Sequence, residues 1–266
     1  MSVWQWGPFN FSIFSITFYA AVLLGLVMVL VQGKRKHFPE QRLIDFLLIA
    51  LVGGIFGSRL AYVLLFNLVY YLEHPAHFFR LQDRGMSFWG GVFFSIVILI
   101  IWGLRKELIL ERYLDLAAPA LAVSLALGYT GAALTGRVMK TVYPWGIPGG
   151  EQYYHPDGLY MIILLMALFL ILRRRRGKAS YEGELFIWFI TGYGIINLAV
   201  ECFRDHDPVF SIFSAGQIAS LAAIALSIFY ILAWPKIYTS SSYLRRVSFG
   251  KKKQHPLWGQ IFLYLL

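Results

Sequence analysis

The chain has 266 residues, of which 58% are hydrophobic and only 14% charged, where an ordinary soluble domain carries about a quarter charged residues. That balance excludes a water-soluble globule and points to a bilayer as the solvent. The formal net charge of +10 does not imply a nucleic-acid partner, because the basic residues gather at the ends of apolar runs, where they meet anionic headgroups.

Seven apolar stretches succeed one another at residues 11–31, 43–66, 88–104, 114–136, 159–172, 185–203 and 212–233. Roughly 20 apolar residues carry a helix across the hydrocarbon core, and most of these stretches reach or approach that length. The fifth is short before Arg173; Tyr160 and the arginine stems extend it by snorkelling. No basic residue precedes the first stretch, Lys34 being the earliest, so that stretch is expected to remain as a helix and not to be cleaved as a signal.

Orientation follows from the basic residues. With the N-terminus outside, the inner connections hold Lys34, Arg35, Lys36 and Arg42, then Arg105, Lys106 and Arg112, then Arg173, Arg174, Arg175, Arg176 and Lys178. The tail adds Lys236, Arg245, Arg246, Lys251, Lys252 and Lys253, giving 18 of the 24 basic residues on one side. Lysine and arginine are held back on the cytoplasmic face during insertion. The reading is therefore an all-α, polytopic integral membrane protein of seven transmembrane helices, N-terminus outside and C-terminus cytoplasmic. Residues 1–233 form the membrane domain, and 234–266 a basic cytoplasmic tail with a short apolar end.

The outer connections are residues 67–87, 137–158 and 204–211; the first two are long enough for short interfacial helices. A single cysteine, Cys202, excludes an internal disulfide and a cysteine-based metal site. His155 stands alone in its loop and reads as a solvated residue. No metal or cofactor is expected.

Charges within a bilayer are costly, and each needs a partner or a task. Arg59 lies in the outer half of the second stretch, with Glu201 and Arg204 at the outer end of the sixth. Arg59 and Glu201 would neutralise one another if paired. Arg204 would then stand near the outer headgroups as a phosphate ligand, since a guanidinium matches phosphate oxygens in a bidentate fork. A structural ion pair that only fixes helix packing is the competing reading. Asp45, Asp115 and Glu184 fall at inner ends, where solvation accounts for them. Gly53, Gly54, Gly57, Gly90, Gly91, Gly128, Gly131 and Gly136 let backbones pack closely in lipid, or line a groove for a lipid head.

Several stretches together resemble the bacterial prolipoprotein diacylglyceryl transferase family. Gly85-Met-Ser-Phe-Trp-Gly-Gly91 resembles its glycine-rich histidine motif, and Gly57-Ser-Arg-Leu-Ala-Tyr-Val63 its second-span arginine motif. Leu114-Asp-Leu-Ala-Ala-Pro119 and His155-Pro-Asp-Gly-Leu-Tyr160 resemble the starts of its fourth and fifth spans. Tyr193-Gly194 through Glu201-Cys-Phe-Arg204-Asp resembles its sixth span, and Gly216-Gln217 with Ser220 the start of its seventh. The likeness extends over about residues 10–233.

The resemblance implies transfer of a diacylglyceryl group from phosphatidylglycerol to the thiol of a lipobox cysteine in the bacterial plasma membrane, as a step of lipoprotein biosynthesis. Such chemistry needs a base for a thiol whose ordinary pKa is about 8.5, and cations for charge developing on the leaving phosphate. Against the family's pattern, the histidine falls at Trp89. The fourth-span arginine, asparagine and acidic positions fall at Tyr129, Ala132 and Arg137, and the sixth-span arginine at Asn197. A positioned base contributes a factor of about 10²–10⁴, and a strong electrostatic donor a further factor of about 10²–10³. Tyr19, Arg59, Tyr62, Tyr193, Glu201, Arg204 and Gln217 match the pattern and are the expected lipid-binding residues; no residue is assigned as catalytic.

Two functions remain open. One is a family-like membrane protein that binds a phospholipid in an outward-facing cleft, catalytically silent or repurposed, with a lipoprotein precursor or a membrane complex as its partner. The other is an active diacylglyceryl transferase using Arg59, Arg204, Arg137 or His155 in new roles.

Overall fold

The structure, a computed structural model, describes residues 3–6, 9–79, 85–135, 137–139, 144–149, 152–203 and 214–247. It is mostly helical. The described part of each apolar stretch lies mainly on a helix: α1 Ile13–Arg35, α2 Glu40–Phe66, α4 Phe88–Arg105, α5 Leu110–Thr135, α6 Asp157–Arg175, α7 Glu184–Glu201 and α8 Ala215–Val247, with a short α3, Leu68–Glu73, between α2 and α4. Among the described residues six of these, all but α3 and α6, are long and apolar enough to cross a membrane. The protein is a multi-pass membrane protein. On α6, Asp157 opens the first turn and Arg173, Arg174 and Arg175 close the last, which leaves a shorter apolar run than its neighbours have.

Strands occupy the ends. An N-terminal hairpin pairs β1, Val3–Trp6, with β2, Phe9–Ser12, antiparallel. The connection 67–87 holds α3 and a 3₁₀ turn, Pro75–Phe79, as its length suggested. The connection 137–158 differs from the expected helices. It forms a small antiparallel sheet in the order β3-β5-β4, from Arg137–Val138, Gln152–His155 and Ile147–Gly149. Val138, Ile147, Tyr153 and Tyr154 suit a pleated surface better than a helix, and Pro148 denies a helix its hydrogen bond.

The chain divides into two compact units, one of residues 1–35 and 114–244, the other of residues 36–113. In the second unit α2 and α4 pack through small residues. A Cβ built on Gly90 would lie 2.1 Å from Ala61 Cβ, and one on Gly57 2.3 Å from Phe94 Cβ. A Cβ on Gly91 would lie 2.9 Å from the Gly54 carbonyl oxygen. The glycine faces are thus occupied by one another, and Ser95 Oγ seals the contact by donating to the Ala50 carbonyl at 2.7 Å. In lipid, such close approach replaces the hydrophobic drive that water would supply. Near the start of α5, Tyr113 packs among Phe38, Phe46 and Trp102.

In the first unit α6 buries Met161, Leu165, Leu168 and Leu172 along one stripe, a helical repeat of i, i+4, i+7. A Cβ on Gly192 of α7 would come within 2.6 Å of Leu168 Cδ1, so α6 and α7 meet there. Gly131 of α5 similarly faces Thr17 and Phe14 of α1. Asp115, which the sequence placed as a solvated inner residue, has a structural task. Its carboxylate accepts from the Gly183 and Phe186 N–H groups at 2.7 and 2.9 Å, capping α7 from another helix. A carboxylate at a helix N-terminus is favoured both by these orphan donors and by the helix dipole. At the same turn, burial, then Glu184 and Asp115, push the Tyr181 hydroxyl above its ordinary pKa, which keeps it neutral.

Gly90→Ala is expected to lower stability by about 1–3 kcal/mol through overpacking. Gly177→Ala, whose Cβ meets open space, should stay within about 0.5 kcal/mol of wild type. Thermal unfolding in detergent measures both.

Candidate functional site

Arg59 is 1% exposed although it lies in an apolar helix. Its Nε donates to the Phe78 carbonyl at 3.2 Å, Nη1 to Gly85 at 3.0 Å and Nη2 to His77 at 3.0 Å. The Tyr71 ring lies 5.2 Å from the guanidinium carbon, adding a cation–π contact. The fork of fixed N–H groups suits several carbonyls at once, which a lysine could not match.

The carbonyls come from the segment that leads into α4, so the guanidinium organises it. Gly85 has φ +135, and a Cβ there would lie 2.3 Å from Tyr62 Cε1; only glycine fits both the backbone and the space. Two residues on, Ser87 N donates to the Ser58 carbonyl at 3.0 Å, and Ser87 Oγ caps α4 by accepting from Gly90 N at 3.2 Å. Tyr62 accepts from Asn67 Nδ2 at 2.7 Å. Trp89 is half-buried on the first turn of α4, with its ring edge-on to Phe88 at 5.7 Å.

The first unit carries a polar seam between α7 and α8. Tyr193, Asn197 and Glu201 recur every four residues on one face of α7. Tyr193 is buried and stacks on Phe189. Asn197, 5% exposed, donates from Nδ2 to Ser220 Oγ at 2.9 Å, and Ser220 Oγ in turn donates to the Gly216 carbonyl at 2.7 Å. Glu201 Oε1 accepts from Ser214 Oγ at 3.0 Å.

Ser214 and Gln217 start α8 as a reciprocal pair. Ser214 Oγ accepts from Gln217 N at 3.1 Å, and Gln217 Oε1 accepts from Ser214 N at 3.0 Å. This is the capping-box arrangement, readable from the Ser-x-x-Gln spacing. The Glu201 carboxylate beside this helix start is placed where a negative charge is favoured. Gly216 leaves room for it, since a Cβ there would lie 2.9 Å from Oε1.

The expected residues therefore fall into groups. Arg59 and Tyr62 share the part of the second unit where α2 meets the segment before α4; Tyr193, Glu201 and Gln217 share the seam. Tyr19 is 65% exposed on α1 and touches Phe18 edge-on. Arg204 lies outside the described residues. The spacing signals missed Asn197, Ser214 and Ser220 as a connected set. They also missed the burial of His155, which is 5% exposed at the end of β5, against the Tyr160 and Phe203 rings. It is not the solvated loop residue expected. Its register partner is Arg137 on β3. Gly158, just beyond, packs directly on the backbone of Ala133, which draws the sheet's last strand against the end of α5. Among the described residues no group of three histidine, cysteine or acidic side chains is placed to hold a metal ion.

A family model described as prolipoprotein diacylglyceryl transferase matches residues 1–233. The chain belongs to the prolipoprotein diacylglyceryl transferase family. It is 36% identical over 187 residues to a phosphatidylglycerol–prolipoprotein diacylglyceryl transferase of Geobacter sulfurreducens, covering 66% of this chain and 72% of the relative. A protein of the same name from a Shewanella species is 29% identical over 251 residues, or 86% of this chain and 93% of that one. One from Pseudoalteromonas translucida is 33% identical over 190 residues, with 68% and 71% covered. Arg59, Glu201 and the capped start of α8 each sit inside a hydrogen-bonded framework.

Replacing Arg59 leaves part-buried carbonyls without a donor, at about 1–3 kcal/mol for each one orphaned. Arg59→Met should cost at least about 2 kcal/mol, and Arg59→Lys less, because the charge remains but the fork is lost. Ser214→Ala should cost about 1–2 kcal/mol through loss of the cap. Thermal unfolding of each purified variant gives the values; an unchanged midpoint in Arg59→Met would remove its organising role.

Proposed function

We propose that this chain binds a phospholipid, phosphatidylglycerol by analogy with its named relatives, at its outward-facing end, and that it is silent or repurposed as a transferase. Seven spans carry it in a bacterial plasma membrane, N-terminus outside and C-terminus inside, with α6 as the fifth crossing. Residues 1–233 make the membrane domain, and residues 234–266 the cytoplasmic tail. Tyr19, Tyr62, Tyr193, Glu201, Gln217 and Arg204 contact the lipid, and Arg59 holds the segment that frames it. A lipoprotein precursor or a subunit of a membrane complex is the macromolecular partner.

The observation that carries this reading is Asn197. It occupies the position where the resemblance expects an arginine, and its amide is buried in a neutral bond with Ser220. A neutral amide cannot compensate charge building on a departing phosphate. Trp89, at the expected histidine, offers an indole that donates but cannot accept a proton. Losses within one catalytic unit are not additive, but these two remove the base and a cation together.

One observation favours the active alternative, in which the diacylglyceryl group passes to a lipobox cysteine. His155 is a buried imidazole at the end of β5, and its register partner on β3 is Arg137. It would act as the thiol's base, with Arg137 supplying the missing charge.

The deciding experiment complements a strain depleted of its own transferase and follows lipidation of a reporter lipoprotein. No lipidation despite membrane expression is expected. Restored lipidation overturns the silent reading; its loss in His155→Gln would then assign the base.

A further inference from the structure

The α6–α7 hairpin is short for a bilayer and ends in a dense positive cluster. On α6 the exposed apolar side chains run from Leu159 to Ile171, a rise of about 18 Å at about 1.5 Å per residue. The hydrocarbon core is about 30 Å thick. α7, bounded by Glu184 and Glu201, spans about 25 Å on the same rise. Directly after the α6 run come Arg173, Arg174, Arg175, Arg176 and Lys178, five cations within residues 173–178.

One of these cations is held in place. The Arg175 guanidinium carbon lies 3.8 Å from the centroid of the Trp188 ring, and Nη1 lies 3.8 Å from Glu184 Oε1. Glu184 is itself fixed, accepting from Ser180 N at 2.5 Å. Tryptophan and arginine both settle at headgroup level, so this pair marks the interface. Arg173 and Arg174 are exposed beside it, and among the described residues neither forms an ion pair.

Guanidinium groups at the end of so short an apolar face cannot rest in hydrocarbon. Snorkelling lifts them by part of the deficit, and the bilayer closes the rest by thinning. Phosphates are the groups that descend to meet them, and the guanidinium fork fits phosphate oxygens. Clusters of four to eight basic residues at the inner end of a span attract anionic lipid.

We propose that the basic end of the α6–α7 hairpin is a binding site for anionic phospholipid headgroups of the inner leaflet, centred on Arg173 and Arg174 and ordered by the Arg175–Trp188 stack. The site draws phosphates toward the short apolar face of α6. It depends on α6 crossing the membrane and not on any chemistry at the outer residues, so a failed lipidation assay leaves it untouched.

The test titrates the purified full-length protein in detergent with dioleoylphosphatidylserine or dioleoylphosphatidylcholine and counts retained lipid by native mass spectrometry. Phosphatidylserine is expected to be retained in preference. Two charges at about 1 kcal/mol each make the loss in R173Q/R174Q about 30-fold, whereas R173K/R174K should keep most of the preference. Equal retention of both lipids by wild type, or an undiminished preference in R173Q/R174Q, overturns the proposal. Full displacement by millimolar inorganic phosphate also overturns it, because the site would then serve a free ion. Should R173Q/R174Q fail to fold, wild type in about 1 M sodium chloride decides, since screening there falls to about 3 Å. Loss of the preference is expected, and salt-independent retention overturns the site.

Discussion

A fully buried guanidinium in an apolar helix imposes the arrangement of the second unit. Leaving the Arg59 guanidinium unmet in a low-dielectric interior would cost several kcal/mol. Carbonyls of His77, Phe78 and Gly85 meet it, and they do so only if the connection after α3 folds back over α2. That return sets the rest in order. Gly85 is pressed onto Tyr62, Ser87 is brought to the Ser58 carbonyl, and the same serine caps α4. α4 then descends with Gly90 and Gly91 facing Ala61 and Gly54. One charge thereby fixes a loop, a helix start and a helix–helix seam.

The first unit solves a similar problem without a buried cation among its described seam residues. Polar groups on α7 face the start of α8, where four backbone N–H groups would otherwise lack partners. Ser214 and Gln217 satisfy two of them reciprocally, and Ser214 also reaches Glu201. Lower on the same face Asn197 and Ser220 close on one another. A satisfied network of this kind is rigid, because each member removed would strand another in lipid.

Much of the fold was legible in residue order. Apolar length located the helices, most of them to within a few residues, because hydrocarbon thickness acts on local composition; α8 is the exception, running on to Val247 past the stretch that ended at 233. The 3₁₀ turn and short helix after α2 were anticipated by length alone. The sheet at residues 137–158 was not, since strand pairing joins residues 137 and 155 that no local period links. The Ser214–Gln217 cap was missed too, although its Ser-x-x-Gln spacing is local. The task of Asp115 was hidden, because it caps a helix that begins 69 positions further along the chain, at Glu184.

Sequence by itself determined that this is a membrane protein of the diacylglyceryl transferase family, since hydropathy and motif order are properties of the chain read end to end. It also marked Arg59, Tyr193, Glu201 and Gln217 as residues of interest. Tertiary structure decided what each of them touches. Arg59 is wrapped in carbonyls, Asn197 is bonded to Ser220, and His155 is buried beneath aromatic rings. The physical reason is that burial and hydrogen-bond satisfaction are set by partners distant in sequence, and only the folded packing brings those partners within three ångströms or so.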